Sequence, residues 1–243
     1  MARNAITVCM PTFNGERFLH AQLQSILSEL EPWDEIIIVD DASCDGTIRI
    51  LMDMEKSDKR IKLVINERNV GVVKAVEIAL CLATNEFIFL SDQDDIWLPG
   101  KVERGLSRLI GTTAVAVLSN AEMLVEDRRT GVLFFLLGYE PRFSIPAQLY
   151  KNDFIGCSMC FKKIILKTAL PFPGRISMHD WWLGVNAIAT GATIFDRAPS
   201  ILYRRHASNA SPSSRRGVVK IIQSRFYNFL SLFVLIFRFA NRG

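Results

Sequence analysis

The sequence predicts an α/β protein built on a mostly parallel sheet with helices on both faces. Three observations carry that expectation. Short apolar runs rich in β-branched residues alternate with segments whose apolar residues fall at helical spacing. Two of those runs end directly in acidic residues, Asp40-Asp41 and Asp92 to Asp95. With 243 residues, 49% of them hydrophobic, the chain is long enough to bury one substantial core.

The elements follow in order. Residues 5–10 form an apolar run that breaks at Pro11 into a polar turn, which reads as a first strand and not as a signal peptide. Phe18, Leu19, Leu23, Ile26, Leu27 and Leu30 share a helical face, so residues 18–30 are expected to be helical. A strand is expected over 35–39. A helix follows over 47–55, with Ser43 or Asp45 in the turn before it as a cap. Next come a strand over 61–65, a helix over 72–82 and a strand over 87–90. The second half is less regular. It predicts strands over 114–119 and 156–161, a hairpin within 121–137 around 128–131, a helix over 180–190, and short strands over 192–195 and 201–205. Residues 207–217, rich in Ser, Pro, Asn and Arg, read as a loop. The expected organisation is one catalytic domain, residues 1–210, followed by a basic and apolar tail, residues 211–243.

Composition removes several classes of function. The formal net charge is +4, and the first 200 residues hold no dense basic stripe of the kind a nucleic-acid binder needs. Cys157 and Cys160 have the spacing of half a zinc site, but no second pair exists, and the run around them reads as a buried strand. The odd cysteine count fits a reducing cytoplasm. Neither a G-x-G-x-x-G nor a G-x-x-x-x-G-K-[ST] is present, which disfavours ordinary dinucleotide-binding and P-loop folds.

In a parallel α/β sheet, ligands bind beyond the carboxyl ends of the strands. Ser91-Asp92-Gln93-Asp94-Asp95-Ile96-Trp97 places three carboxylates within four residues at such an end. Each like-charge pair at ~4 Å and an effective dielectric of ~20 costs on the order of 4 kcal/mol, a cost that a bound cation removes. Mg2+ or Mn2+, hard cations that prefer oxygen ligands and share them with phosphate, fit the pattern. A solvated acidic turn that caps the next helix is the alternative. Pro11-Thr12-Phe13-Asn14-Gly15-Glu16 opens the first helix, whose N-terminus can receive an anion or a polar base edge. Thr12 or Asn14 could equally cap that helix. Asp40 and Asp41 offer acceptors for the imide N–H of uracil or thymine, or for a ribose hydroxyl, or they close a turn.

Taken in order, these runs resemble glycosyltransferase family 2. Met10 to Glu16 is similar to that family's opening motif. Ile37-Ile38-Val39-Asp40-Asp41-Ala42-Ser43 is similar to its second, with Asp45-Gly46-Thr47 following. Asn69-Val70-Gly71 resembles its Asn-x-Gly turn, and Ser91 to Trp97 its metal loop. Met178-His179-Asp180-Trp181-Trp182 resembles the motif that carries the catalytic base. Tyr203-Arg204-Arg205-His206 resembles the closing Tyr-Arg-x-His of the bacterial rhamnosyltransferase-like branch. The likeness spans roughly residues 5 to 210.

The resemblance implies a GT-A fold with a Rossmann-like sheet, an inverting transfer and a divalent cation. It implies nucleotide-sugar contacts at Pro11, Thr12, Asn14, Glu16, Asp40, Asn69, Lys74 and Asp92. Asp94 would ligate the metal, with Asp92 and His206 in its shell, and Asp180 would be the base. Without the resemblance, Asp180 could be only a helix cap and His206 only structural. Trp181 and Trp182 are expected to face the acceptor sugar or to join the core. Many relatives carry Glu immediately before the catalytic Asp; here His179 stands there.

The function so implied moves a sugar from a dTDP-rhamnose or UDP-hexose donor to a hydroxyl of a glycan or lipid-linked acceptor in bacterial surface polysaccharide synthesis (O-antigen or capsule). The tail supports a membrane site. The uncharged run 226–237 is too short for a spanning helix of ~20 residues, and Arg215, Arg216, Lys220, Arg225, Arg238 and Arg242 surround it. That suits a helix lying on the inner face of the cell membrane, or one packed on the domain or on a dimer partner. The competing functions are a phosphatase, a nucleotidyltransferase and a non-catalytic membrane-bound adaptor. A dehalogenase-type phosphatase wants Asp-x-Asp after the first strand, where Pro11-Thr12-Phe13-Asn14 stands, and a nucleotidyltransferase wants a Gly-rich basic loop there.

Overall fold

A computed structural model describes residues 3–206 and 218–241. The first half alternates as expected: β1 (Ile6–Thr12), α1 (Glu16–Leu27), β2 (Glu35–Asp40), α2 (Thr47–Ser57), β3 (Ile61–Ile65), α3 (Val72–Leu82) and β4 (Phe87–Leu90). Every residue of β1, β2 and β4 is buried. These strands are covered on both faces, which is why they read as continuous apolar runs and not as alternating ones.

The strand order is β3-β2-β1-β4 followed by β8-β6-β9-β5. β1 pairs in parallel with β2 and with β4, and β2 in parallel with β3. The chain therefore winds outwards from β1 to β3, then returns through α3 to β4 on the other side of β1. The crevice at the carboxyl ends of β1 and β4 is the topological switch point, where ligands of such sheets bind.

The second half extends the sheet with antiparallel pairs and one long parallel pair. It comprises β5 (Ile96–Trp97), α4 (Lys101–Leu109), β6 (Ala114–Val125), β7 (Arg128–Leu133), α5 (Ile145–Tyr150), β8 (Met159–Lys162), α6 (Leu166–Ala169), α7 (His179–Thr190) and β9 (Ala192–Arg205). The expected hairpin exists, but its turn is Glu126-Asp127 and not 128–131. Both residues have positive φ, as a two-residue hairpin turn requires. The two short strands expected over 192–205 are one strand. Pro199, which cannot donate to a ladder, sits where the β6–β9 register shifts, so the irregularity absorbs it. The expected strand over 156–161 opens as a single 3-10 turn, Gly156–Ser158, before β8 begins.

The tail forms α8 (Val218–Ala240), and part of it packs on the domain. Asn228, Ser231 and Leu235 are buried, and Arg238 donates to the carbonyls of Thr168 (2.6 Å), Ala169 (3.1 Å) and Pro171 (2.7 Å). Away from the domain, Ile222, Phe226, Phe229, Phe233, Ile236 and Phe237 are all at least half exposed. No helix among the described residues is long and apolar enough to cross a membrane. The loop expected over 207–217, and Arg215, Arg216 and Arg242, lie outside the described residues.

Candidate active site

The switch-point crevice is a cavity of about 380 Å³. Pro11, Thr12, Asp41, Asn69 and Gly71 line it on one side, Asp92, Gln93 and Asp94 at the strand ends, and Gly156, Met178, His179, Asp180 and Tyr203 opposite.

Two adjacent carboxylates stitch the first side together. Asp40 is fully buried. Its Oδ1 accepts the hydroxyls of Thr12 (3.0 Å) and Ser43 (2.6 Å), and its Oδ2 accepts the Ser43 N–H (2.9 Å). Asp40, expected as a nucleotide contact, thus braces the first two loops from inside the fold and is not among the residues lining the cavity. Asp41 reaches the cavity instead. It accepts Asn66 Nδ2 (2.9 Å) and the N–H groups of Val70 and Gly71 (2.8 Å each), which shapes the Asn69-Val70-Gly71 turn. That turn needs Gly71 at φ 87°, a backbone that side chains disfavour.

Other expected contacts are not among the lining residues. Asn14 Oδ1 accepts the Cys44 N–H, and Glu16 Oε2 accepts the Gly46 N–H, so both join the first two loops. Lys74, between the lining residues Val72 and Ala75, pairs with Glu77 (2.8 Å) on its own helix. Trp181 and Trp182 are fully buried, with indole N–H groups on the carbonyls of Gln148 (3.0 Å) and Ala169 (2.8 Å). No ring face is left for a sugar, so the expected acceptor contact is corrected: both are core.

The acidic loop is oriented from both ends. Gln93 pairs with the Phe13 backbone twice, Oε1 accepting its N–H (2.9 Å) and Nε2 donating to its carbonyl (3.0 Å). A Cβ at Gly15 would come within 2.3 Å of Gln93 Oε1, so this fit requires glycine. At the other end, Arg204 donates its N–H to Asp95 Oδ1 (2.9 Å) and its Nε to the Asp94 carbonyl (2.7 Å), and its guanidinium pairs with Asp127. His206 Nε2 lies 2.7 Å from Asp94 Oδ2, its ring packed 4.6 Å from that of Phe18. Residues 112 positions apart in sequence thus meet.

Electrostatics in this loop favour a cation. Burial, then the charge of Asp94, pushes Asp92 up to about 7. Burial, then Asp92 and Asp94, raises Asp95 well above the carboxylate range. Oδ2 of Asp95 is buried with no hydrogen-bond partner. A carboxylate oxygen from each of Asp92 and Asp95 and the Cys157 sulfur lie within 4.8 Å of one another. The donor set therefore fits a divalent cation, with Asp94 and His206 as the second pair of donors nearby. Lys101 is the buried countercharge. Its Nζ donates to the Cys157 carbonyl (2.8 Å) and sits 4.7 Å from the centre of the Trp97 ring, and burial lowers it to about 8. Lys101 was not among the sequence-derived candidates, and Cys157 was weighed there only as half of a zinc site with Cys160.

Across the cavity, Asp180 stands in the first turn of α7. It is not the helix cap, since Met178 holds that position in an extended conformation. Its Oδ1 accepts Asn152 Nδ2 (3.2 Å) and the Trp181 N–H (2.6 Å). His179 beside it is buried against Gly156, where any Cβ would lie 2.9 Å from its Nε2, and burial pushes the imidazole down to about 4.

A switch-point cavity lined by an acidic loop and by a further carboxylate at the start of a helix is consistent with the architecture of GT-A glycosyltransferases. The chain adopts that fold: Staphylococcus aureus TarS, residues 1–349, in complex with UDP-GlcNAc superposes with a TM-score of 0.73 at 18% identity, over 93% of this chain and 66% of that fragment. Residues 7–167 match the glycosyl transferase family 2 domain, and the chain belongs to that family. Among its relatives is TuaG of Bacillus subtilis, named for teichuronic acid biosynthesis, 30% identical over 63% of this chain and 59% of its own length. The Escherichia coli UDP-Glc:alpha-D-GlcNAc-diphosphoundecaprenol beta-1,3-glucosyltransferase WfgD is 29% identical over 75% of this chain and 69% of its own. The dTDP-rhamnosyl transferase RfbG of Shigella flexneri is 27% identical over 82% and 72%. The chain thus spans 59% of the length of TuaG and 66% of the TarS fragment.

Proposed function

We propose that this chain is an inverting glycosyltransferase that moves a sugar from a UDP- or dTDP-linked donor to a hydroxyl of a lipid-linked or growing glycan in bacterial surface polysaccharide synthesis. The observation that carries the reading is that Asp94, paired with His206, and Asp180 line one cavity. The relatives' names supply the donor and acceptor classes, since UDP-glucose, dTDP-rhamnose and a diphosphoundecaprenol acceptor all occur among them.

In this reading the nucleotide lies along Pro11, Thr12, Asp41 and Asn69. Mn2+ or Mg2+ would be held by Asp94 and His206 beside Asp92, and it supplies Lewis acidity to the departing diphosphate. Asp180 takes the proton of the acceptor hydroxyl as its oxygen attacks the anomeric carbon. The bond to the diphosphate oxygen breaks on the opposite face, which inverts the centre. A general base of this kind contributes about 10²–10⁴ in rate. The exposed apolar face of α8, flanked by arginines in a segment with no acidic residue after Asp196, favours a site on an anionic inner-membrane surface.

The test is thermal stability with UDP, dTDP and GDP, each with and without Mn2+. A ligand of the native state raises stability by mass action. The expected result is a rise with one nucleotide that requires Mn2+ and is lost in Asp94→Ala. Asp180→Asn should keep that rise and lose turnover. A protein that no nucleotide stabilises would instead be a non-catalytic adaptor on the same fold.

A further inference from the structure

α8 lies beyond the part of the chain that matches the family domain, residues 7–167, yet it reaches the active site. The link is the segment 170–178, which joins α6 to α7 and delivers Met178, His179 and Asp180 to the cavity wall. This segment carries no helix or strand, so its backbone must be held by other parts of the fold. α3 holds one point, where Glu77 Oε1 accepts the Phe172 N–H (2.9 Å). At its two ends the Leu170 N–H donates to the Leu166 carbonyl (3.0 Å) and the Met178 carbonyl accepts the Trp182 N–H (3.3 Å), and between them α8 supplies further holds. Arg238 caps the carbonyls of Thr168, Ala169 and Pro171. Tyr227 receives Arg175 on its hydroxyl (2.8 Å), with the guanidinium 5.3 Å from its ring centre. Asn228, 6% exposed, accepts the Ser177 N–H on its Oδ1 (3.1 Å).

The last of these bonds is the most telling. Ser177 immediately precedes Met178, the extended residue from which α7 starts, and Asp180 follows in the first helical turn. A displaced Ser177 would move the α7 N-terminus, and the Asp180 carboxylate with it. An amide buried at a helix–loop interface and spent on one backbone N–H does little for stability that an apolar side chain could not do. It does fix the direction in which that backbone runs.

We infer that Asn228 is a positioning residue of the active site: α8 uses it to hold Ser177, and thereby sets Asp180 against the cavity. The inference rests on the reading of Asp180 as the base. Asn228 touches neither substrate nor metal and acts only through the segment it holds. Arg238 and Tyr227 hold the same segment further from Asp180 and set its path.

The test uses the full chain with Asn228→Ala and Asn228→Asp, the second keeping an oxygen for the Ser177 N–H. Hydrogen–deuterium exchange should rise over residues 172–181 in Asn228→Ala, stay unchanged over 35–41, and return to the wild-type pattern in Asn228→Asp. Nucleotide release from UDP-glucose and dTDP-rhamnose should fall about tenfold to a hundredfold in kcat, the scale of a small misplacement of a catalytic group. KM and Mn2+-dependent nucleotide stabilisation should hold, and Asn228→Asp should recover kcat. Unchanged exchange in Asn228→Ala would overturn the inference, and so would raised exchange with wild-type kcat. Equal loss of kcat in both variants would also overturn it, since a merely structural amide predicts no rescue. Failure of the Asp180 reading shows separately, as wild-type turnover by Asp180→Asn. If neither donor is turned over by the wild type, the exchange arm still decides whether Asn228 holds Ser177.

Discussion

His179 and Asp180 are neighbours that differ in burial, the first buried and the second partly exposed. His179 is buried against Gly156 with Nδ1 unpartnered, and burial alone lowers its imidazole from 6.5 to about 4. The unfolded chain takes up this proton near 6.5, whereas the folded chain resists it until about 4. Between those values the unfolded state binds more protons, so stability rises with pH there. The contribution is complete above 6.5 and is lost as pH falls towards 4, at most about 3 kcal/mol. Urea unfolding of His179→Gln at pH 7.5 and pH 5 should therefore show a smaller loss between the two than wild type. An identical loss would mean the imidazole is not held neutral. The same pair of residues marks a limit of sequence reading. Asp180 stands out by its motif, but nothing in Met178-His179-Asp180-Trp181-Trp182 reveals that both tryptophans turn inward. Their burial depends on Gln148 and Ala169, which lie outside the motif. Asp40 and Asp41 repeat the point: which carboxylate reaches the cavity is decided by Asn66, 25 positions beyond Asp41.

At the level of elements, β1 to β4 and the helices between them were legible because a parallel strand covered on both faces is a continuous apolar run, and each such run ends in a polar loop. β5 to β9 were harder. Their pairings are largely antiparallel with register shifts, and β5 is only two residues long. α4 did carry a signal, Val102, Leu106 and Leu109 at helical spacing behind Gly100, and all three are buried. α7 is the element on which the site depends most, and its packing can be probed directly. A Cβ at Gly184 would sit 2.2 Å from the ring of Phe154, a core residue packed on Phe143. Gly184→Ala should cost about 1–3 kcal/mol by overpacking. Gly174→Ala, with nothing within 4 Å, should be near neutral, and chemical denaturation of the two variants checks the contrast. Equal effects would mean that α7 has slack against Phe154.

For the molecule as a whole, α8 has two faces with different partners. The inner face holds residues 168–177, and the outer face shows Phe226, Phe229, Phe233 and Phe237 at successive helical turns. Phe229→Ser combined with Phe233→Ser should weaken co-sedimentation with vesicles containing anionic lipid while leaving nucleotide-induced stabilisation intact. Wild-type binding should weaken as salt rises, since part of the attraction is charge. Unaltered vesicle binding in the double variant would place the contact elsewhere.

A single amphipathic helix fixed to the catalytic body has a kinetic consequence. In the proposed membrane-bound state, the enzyme keeps only lateral diffusion and rotation about the membrane normal. The height and tilt of the cavity mouth are then set before any acceptor arrives. Encounter with a lipid-borne acceptor becomes a search in a plane, and its rate follows the number of acceptors per unit area of membrane. Diluting those acceptors with inert lipid at constant bulk concentration should slow the transfer, whereas diluting the whole suspension should leave the rate per bound enzyme unchanged.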